Sequence, residues 1–373
     1  MINALALNLI ADVMSWDTEE ATKEYAWLKL MASVKYDGYS DFRAGIRFLE
    51  SLATWLRQFD VGDRPRAYAF VKERLVYISQ AEMQRVVEVF IPEIVTPYLR
   101  RVAAIESNLR PWEVWGSAEG VATFNRLLRR SLFVGLSDGS RIDVLRRVNS
   151  PRLVQDQFVP MLDIGEEKWA DLGKELVDAQ EDATARFDHV YLVDDFTASG
   201  TTFIREVDGE WKGKLKKFND LVLKARGVLG DAFPLSKGYS LHIHHYISTR
   251  QARGALEERV EEAKVGLADR SFGDVTVTEG LLLPVSLKMS DEEDAEMLGL
   301  CDHYYDHHLY TRLKKHCDEA GQSDMRRGYA NCALPLVLEH NSPNNSVPLL
   351  WAATDGRDGH AMRPLFRRRD RHG

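Results

Sequence analysis

The chain has 373 residues, of which 45% are hydrophobic and 28% are charged, as expected of a globular protein rather than a disordered or fibrous one. Its formal net charge of −8 argues against general nucleic-acid binding, and its three cysteines (Cys301, Cys317 and Cys332) are too few for a disulfide framework. No basic region precedes the apolar N-terminus, and no apolar run is long enough to cross a bilayer. We therefore expect a cytoplasmic protein, with one main domain and a substantial additional part.

The first third of the chain, residues 1–130, is predicted to be helical. Apolar residues such as Leu5, Leu9 and Val13 recur there at helical spacing. The segment Ser79–Glu82 has the pattern of a capping box at a helix start. Because no chemically distinctive cluster occurs in this region, we interpret residues 1–130 as a helical cap or partner-docking region.

A strand, a loop and a helix are predicted from Ser131 onward. The uncharged run Leu132–Leu136 indicates a buried strand, and Ile142–Val148 resumes with a helical pattern. Between them lies a loop of turn-forming residues: Ser137, Asp138, Gly139, Ser140 and Arg141. This pattern fits both a ligand-binding loop and a tight turn without a ligand.

The most informative stretch is His189–Thr202. Val190–Val193 predicts a buried strand, which ends at the adjacent carboxylates Asp194 and Asp195. A loop of mostly small residues follows, made of Thr197, Ala198, Ser199, Gly200, Thr201 and Thr202. Phe203–Ile204 is then predicted to form the first turn of a helix.

This strand, acid pair, loop and helix start would suit a sugar phosphate. Loop N–H groups and the positive end of a helix can hold a phosphate, while two carboxylates can accept hydrogen bonds from neighbouring sugar hydroxyls. A ribose 5-phosphate would engage both parts at once. The alternative is an ordinary strand–turn–helix with a solvated acid pair. A Walker-type loop is excluded because no Gly-Lys-Ser/Thr follows the strand.

Alternating strands and helices are predicted after this motif. Trp211–Val228 has the pattern of a lysine-rich helix, Leu241–Ser248 of a strand and Thr249–Val265 of a return helix. Val275–Thr278 is predicted to be a further strand, ended by a turn at Glu279–Gly280.

Two histidine-rich segments raise the question of a metal. The strand at 242–245 carries three close histidines, and His303 and His307 would share one helical face within 301–317. No fourth ligand accompanies the first group, and the glutamate of the metalloprotease motif is missing from the second. Packing of buried aromatic and histidine side chains is the alternative in both segments.

A last strand is predicted at Ala333–Leu338. Polar residues follow it, and because α/β sites lie beyond the carboxyl ends of strands, four of them are candidates for the acceptor side of a site. These are Glu339, His340, Asn344 and Asn345. Residues 356–373 form a basic C-terminal tail, the one part of the chain for which nucleic-acid contact is considered.

The stretch VYLVDDFTASGTT resembles the phosphoribosyl-pyrophosphate (PRPP) signature of type I phosphoribosyltransferases. The resemblance implies that Asp194 and Asp195 hold the ribose hydroxyls and that the loop to Thr202 holds the 5-phosphate. It also implies that Ser137, Asp138, Gly139, Ser140 and Arg141 form the pyrophosphate loop, with contacts that are direct or through a metal ion. Asp138 departs from that pattern, because a carboxylate facing pyrophosphate requires Mg²⁺ or must point away.

One position within the motif limits which acceptor base the resemblance implies. In the 6-oxopurine branch of the family, a third acid stands three residues after the second acid and assists the base. Here that position is Ala198. A 6-oxopurine acceptor is therefore disfavoured, whereas the adenine and orotate branches tolerate a small residue there.

Over most of its length the chain resembles the phosphoribosyltransferase-like effectors of bacterial conflict systems, of the PRTase-CE type. The helical N-terminal part, GLSDGSRID, VYLVDDFTASGTT and EHNSPNNSVPLLW together carry this resemblance. It implies a role in anti-phage defence together with a partner protein.

We therefore expect an α/β protein with a mostly parallel sheet of type I phosphoribosyltransferase topology and a large helical N-terminal addition. Its expected divisions are residues 1–130, 131–355 and 356–373. The resemblance implies an enzyme that binds PRPP or a nucleotide with Mg²⁺, held through PRPP without an assigned protein ligand, and that transfers or releases a ribosyl phosphate group. Arg141 would neutralise the pyrophosphate. The alternative is an inactive nucleotide-sensing module of the same fold acting with a partner.

Overall fold

A computed structural model describes residues 2–42, 47–318 and 320–368. Its helices are α1 (Ile2–Met14), α2 (Thr18–Val34), α3 (Phe48–Leu56), α4 (Arg64–Glu73), α5 (Gln80–Val89), α6 (Thr96–Glu106), α7 (Ala118–Arg129), α8 (Ile142–Val148), α9 (Glu166–Gln180), α10 (Lys214–Leu229), α11 (Arg250–Gly266), α12 (Ala295–His303) and α13 (His308–Asp318). Its strands are β1 (Val76–Ile78), β2 (Ser131–Gly135), β3 (Phe158–Val159), β4 (Phe187–Thr197), β5 (Arg205–Val207), β6 (Glu210–Lys212), β7 (Leu235–Thr249), β8 (Val275–Leu283) and β9 (Leu336–Leu338). A π-helical turn, Phe90–Val95, joins α5 to α6.

The chain divides into two compact units. The sheet unit spans Gln84–Pro284, and the helical unit combines Met1–Met83 with Val285–Gly373. These divisions fall at other positions than the predicted boundaries after residues 130 and 355, which stay predictions about functional regions. None of the helices in the described ranges is both long and apolar enough to span a bilayer.

A five-stranded parallel sheet in the order β3-β2-β4-β7-β8 organises the sheet unit. The whole of β2 is buried, as is most of β4 and β7, which explains why these strands are continuous apolar runs rather than alternating ones. The predicted α/β class and parallel sheet are confirmed. Strand β4, which carries the acid pair, lies in the centre of the sheet.

The two faces of this sheet differ in composition. On one face, aliphatic residues of β2, β4 and β7, such as Val190 and Leu192, pack against helices α9, α10 and α11. We call this the aliphatic face. Since side chains of a strand alternate between faces, the residues between them point the other way, toward the segment from α5 to α6. Phe90 of the π-helical turn stacks on His244 there, with ring centroids 4.0 Å apart.

This second face, which we call the aromatic face, holds His189, His242 and His244, whereas strand alternation places His245 on the aliphatic face. Tyr191 stacks on His242 at 4.3 Å, and His189 packs edge-on against Tyr98 at 5.4 Å. Burial lowers the pKa of His189 to about 4 and that of His242 to about 3, so both are neutral at pH 7. Within the described residues, no group of three or more His, Cys, Asp or Glu side chains is placed to hold a metal ion.

Strand β8 runs through Glu279–Gly280, where a turn was expected. The glycine serves a close approach instead, because a Cβ at Gly280 would overlap Val86 of α5. The expected helical pairing of His303 with His307 is also wrong. Helix α12 ends at His303, and α13 begins only at His308.

The helical unit contains α1 to α4, α12, α13 and the parallel strand pair β1–β9. The predicted last strand is therefore shorter than expected, and it pairs with β1 in a separate sheet. Strand β1 lies inside the region expected to be helical, where Val76–Ile78 is too short to show a period. The predicted basic tail lies partly outside the described residues, beyond residue 368.

Candidate functional site

The loops after β2 and β4 lie side by side at the carboxyl ends of neighbouring parallel strands. The register pairs Gly135 with Val193, and Leu136 N donates a hydrogen bond to Val193 O at 2.9 Å. Two segments that are some fifty residues apart in sequence therefore meet at one edge of the sheet. This arrangement brings the loop Ser137–Arg141 to the acid pair.

Asp194 is buried, with 4% of its surface exposed, and both of its carboxylate oxygens have partners. Ser137 Oγ donates to Oδ1 at 2.6 Å, and the Lys214 ammonium contacts Oδ2. Burial raises the pKa of Asp194, as does the neighbouring Asp195, while the Lys214 charge opposes both effects. The first acid is thus a desolvated carboxylate compensated by a serine and a lysine.

Asp195 is half-buried and faces the other side of the strand. Phe196 N donates to Asp195 Oδ1 at 2.8 Å. Its second oxygen, Oδ2, lies so close to Gly139 that a Cβ there would overlap it. Glycine at position 139 is therefore required by the carboxylate, which links the two loops directly.

Arg141 begins α8 from a left-handed backbone conformation with φ 49°. Burial lowers the pKa of its guanidinium, which the nearby Asp195 and Asp143 raise. Asp138 is exposed to solvent, and its role toward pyrophosphate stays a prediction. Ser140 is buried, and its Oγ lies so close to Gly135 that a Cβ there would overlap it. The Ser140 side chain therefore packs inside the protein rather than facing solvent.

The loop after β4 is held by its own hydroxyls and by helix α11. Ser199 Oγ and Thr201 Oγ1 are 2.8 Å apart and share a hydrogen bond. Thr249, the N-cap of α11, donates from Oγ1 to Ala198 O at 2.6 Å. Thr197 is buried, while Thr202 is exposed. The loop therefore combines a fixed start with an accessible end.

Gly200 is buried against helix α11 rather than open to solvent. It has φ 69°, and an added Cβ would lie 2.9 Å from Ala252 O and 3.2 Å from Ala255 Cβ. A side chain at this position would strain the backbone and press on α11. A substitution of Gly200 would therefore disturb the fold as well as any ligand.

The expected helix at Phe203–Ile204 is wrong. A β-hairpin, β5–β6, follows the loop instead, and it turns at Asp208 (φ 55°) and Gly209 (φ 77°). The Asp-Gly dipeptide is a strong signal for a two-residue hairpin turn with positive φ at both positions. β-branched residues before it also favour strand over helix.

Helix α10 begins after this hairpin, and its first residues nevertheless lie against the loop that follows β4. Leu215 N donates to Phe203 O at 3.0 Å, and Gly213 approaches the same carbonyl too closely for a Cβ. The helix start is thus displaced by the hairpin in sequence but lies beside the loop in space. The first residue of α10, Lys214, therefore contacts Asp194.

Sequence reasoning missed two residues of this site. Lys214 was not distinguished from the other lysines of the predicted lysine-rich helix, although a lysine in the first turn of a helix opposes the helix dipole and so suggests another use. Tyr246 was also overlooked. It is fully buried, its hydroxyl has no hydrogen-bond partner among the described residues, and the charges that act on it are those of Arg141, Asp143, Asp195 and Asp194.

The four acceptor-side candidates belong to the helical unit and have partners there. Glu339 is buried and accepts from Ser40 Oγ at 3.2 Å. His340 Nδ1 lies 3.5 Å from Glu339 Oε1. Asn344 O accepts from Tyr329 N at 2.7 Å, and Asn345 Nδ2 donates to Tyr329 O at 3.1 Å. Their role toward an acceptor stays a prediction.

The site offers two carboxylates, each beside a cation, and a hydroxyl-rich loop. This donor set suits Mg²⁺ only in part, since two carboxylates are hard oxygen ligands but are too few for a cage made by protein alone. Mg²⁺ keeps several waters and commonly binds through one or two carboxylates together with substrate phosphates. The residues therefore fit an ion that arrives with a phosphorylated ligand.

Comparison with known families gives one match. A family model described as PRTase-CE matches residues 52–368, which is most of the chain. Searches of curated proteins and of solved structures each find no match.

Proposed function

The chain belongs to the PRTase-CE family, and on this premise we propose that its sheet unit binds PRPP or a nucleotide with Mg²⁺ and transfers or releases the ribosyl phosphate group. The observation that carries the proposal is the meeting of the Asp194–Asp195 pair with the Ser137–Arg141 loop. Gly139 lies against the Asp195 carboxylate there. A ligand held by the acid pair would therefore also touch the neighbouring loop.

Each part of the site would have one task. Asp195, half-buried with its Oδ2 against Gly139, would accept a hydrogen bond from a ribose hydroxyl, and Asp194 would accept from the neighbouring hydroxyl. The hydroxyls of Ser199 and Thr201 and the exposed Thr202 would donate to the 5-phosphate. Hydrogen bonds between neutral donors and a charged phosphate are among the stronger ones in proteins.

Bond cleavage in this class separates charge. Positive charge develops at the anomeric carbon and negative charge on the leaving pyrophosphate, so positioned charges do most of the catalysis. The acid pair would stabilise the sugar, and Arg141 would stabilise the pyrophosphate. Mg²⁺ carried by the ligand would supply further neutralisation of the phosphates.

Titration calorimetry with Mg²⁺-PRPP tests this assignment. We expect binding by the wild type that Asp194→Asn plus Asp195→Asn removes, while circular dichroism shows an intact fold. Asp171→Asn plus Asp178→Asn is the matched control, because it removes two exposed carboxylates of α9 with the same change in charge. Equal binding by the double variant at the acid pair would reject the ribose site.

An alternative is a nucleotide-sensing module of the same fold that performs no chemistry. It is favoured by Asp138, the extra carboxylate in the loop expected to receive pyrophosphate, and by the lack of an obvious base-recognition residue. Time courses of pyrophosphate release separate the two. Release that Asp195→Asn abolishes supports the enzyme, whereas tight binding without release in an assembled, active system supports the sensor.

We further propose that the protein acts in the bacterial cytoplasm as an effector of anti-phage defence with a partner protein. Family membership supports this role. Plating efficiency of phages on cells that carry the wild-type system or its Asp195→Asn variant tests it. Protection that survives the substitution would separate the defence role from this site.

A further inference from the structure

Lys214 is the second cation of the candidate site, besides Arg141, and it is the first residue of α10. Its ammonium contacts Asp194 Oδ2, and its charge also lowers the pKa of the buried His245, which lies opposite Asp194 on β7. The lysine side chain is 30% exposed and the aspartate side chain 6%. The ammonium therefore connects the buried carboxylate with solvent.

The backbone on both sides of Lys214 is fixed against the phosphate loop. Gly213 has φ 122° and approaches Phe203 O, where a Cβ would overlap the carbonyl. Leu215 N donates to that same oxygen at 3.0 Å. Lys214 is thus held next to the loop by its neighbours, whatever its side chain contacts.

The helix itself gains nothing from a lysine at this position. The first turn of α10 contains no acid, and a cation near a helix N-terminus is unfavourable because it faces the positive end of the helix dipole. Lys216 is paired with Asp220 on the helix surface at 2.6 Å, and Lys217 is exposed. Lys214 alone of these three turns back to the acid pair.

Charge explains why the site requires this cation. With Arg141 alone, the two carboxylates would leave one negative charge at a site that must accept phosphates. Lys214 brings the four groups to neutrality, which removes a Coulomb barrier that is larger in a partly desolvated site than in water. Both oxygens of Asp194 are, however, occupied by Ser137 and Lys214.

We propose that Lys214 is a substrate-binding residue that exchanges partners: its ammonium neutralises Asp194 in the empty site and moves to a phosphate group of a ribose phosphate when a sugar hydroxyl binds that carboxylate. This inference rests on the proposed function, since it assumes that the acid pair holds ribose. The carboxylate then accepts hydrogen bonds from Ser137 and the sugar hydroxyl in place of the ammonium, and the phosphate gains a charge-assisted bond. No covalent bond is formed or broken.

The test compares Lys214→Met, Lys214→Arg and the control Lys217→Met, which removes an exposed lysine from the same helical turn. Calorimetry measures affinity for two probes, ribose 5-phosphate and Mg²⁺-pyrophosphate, and thermal melts measure stability. We expect Lys214→Met to weaken at least one probe by 10- to 100-fold, Lys214→Arg to recover most of that loss, and Lys217→Met to bind like the wild type.

The probe that weakens more identifies the phosphate that Lys214 contacts. A Lys214→Met variant that melts earlier yet binds both probes like the wild type would overturn the inference and leave Lys214 as a structural counter-ion. If that variant does not fold, Lys214→Gln keeps a hydrogen-bond donor for Asp194 without the charge, and the same outcomes apply. Failure of the wild type to bind either probe or Mg²⁺-PRPP would overturn the proposed function as well.

Discussion

The two faces of the central sheet are built from different chemistry, and the acid pair divides between them. The aliphatic face packs Val190 and Leu192 against helices, and among the described residues of its core cluster only Trp169 has a buried polar atom, the indole Nε1, without a hydrogen-bond partner. The aromatic face carries Tyr191, His242 and Tyr246, each with a buried polar atom that has no hydrogen-bond partner there. Strand alternation directs Asp194 to the first face and Asp195 to the second.

The two faces therefore contribute differently to stability, because the aromatic face buries polar groups that have no hydrogen-bond partner. A buried polar group without a partner costs about 1–3 kcal/mol, which an apolar side chain at the same position would not. The aliphatic face therefore stabilises the unit. The aromatic face extends toward Asp195, Arg141 and the Tyr246 hydroxyl, so its polar groups lead to the candidate site.

Substitution of core residues gives the largest expected effect. Leu192→Ala, at a fully buried position of the aliphatic face, should lower the free energy of unfolding by about 2–5 kcal/mol. Tyr191→Phe, on the aromatic face, should leave it unchanged or raise it, because the lost hydroxyl has no partner. Urea unfolding of both variants measures the contrast, and a large loss for Tyr191→Phe would remove the distinction between the faces.

Acid should weaken the aromatic face next. The pKa of His189 is lowered to about 4 and that of His242 to about 3, so the unfolded chain binds more protons than the folded one below about pH 6.5. Stability should fall by a few kcal/mol as the pH drops from 6.5 toward 4. Asp194, with its raised pKa, acts in the opposite direction, because the folded state then holds its proton more tightly.

Urea unfolding between pH 8 and pH 4 measures this dependence. His242→Phe should flatten the curve, since phenylalanine can stack on Tyr191 without a titrating nitrogen. His340→Phe in the helical unit is the control, because it makes the same substitution outside the aromatic face. An unchanged curve for His242→Phe would contradict the assignment of the acid sensitivity to this face.

A smaller effect should appear where the two loops touch. Gly139→Ala places a Cβ on the Asp195 carboxylate and should weaken Mg²⁺-PRPP binding by roughly 10- to 100-fold, or about 1.4–2.7 kcal/mol. Gly254→Ala is the control, because that helical glycine has open space around it and alanine should stabilise α11 by up to about 1 kcal/mol. Calorimetry of both variants decides; wild-type affinity in Gly139→Ala would mean that Asp195 binds no ligand from its present position.

The hairpin should give the smallest effect. Gly209→Ala forces an alanine into a left-handed conformation at an exposed turn and should cost about 1 kcal/mol. Gly227→Ala, within α10 and with open space around it, should stabilise instead. Thermal melts compare the two, and equal melting temperatures would show that the turn is not held in this conformation.

Sequence patterns were sufficient where a single local period decides the structure. The strands around Leu132–Leu136 and Val190–Val193 and the neighbouring helices follow from apolar runs, and the parallel sheet follows from their alternation. The helix at Phe203 was wrong because the Asp208–Gly209 signal was given less weight than an apolar start. The pairing of β9 with β1 joins residues some 260 apart, and no local pattern encodes that choice.

The sequence predicted which segments form the candidate site, but not which side chains contact one another there. A motif names Asp194, Asp195 and the loop, but it cannot show that Gly200 packs on α11 while Gly139 meets a carboxylate. Lys214 escaped notice because its partner lies twenty residues earlier in the chain, beyond a hairpin. The contacts that could not be predicted from sequence are those between side chains that tertiary packing brings together.

The π-helical turn at Phe90–Val95 fixes the rotational phase of the helices that cover the aromatic face. It adds one residue to a helical turn, and one residue corresponds to about 100° of rotation around the axis. Phe90 at its start and Leu99 after it are both buried. Deleting a single residue within the turn would rotate α6 by about that angle relative to α5 and carry Leu99 away from its buried position. This segment should accept changes of side chain far more readily than changes of length.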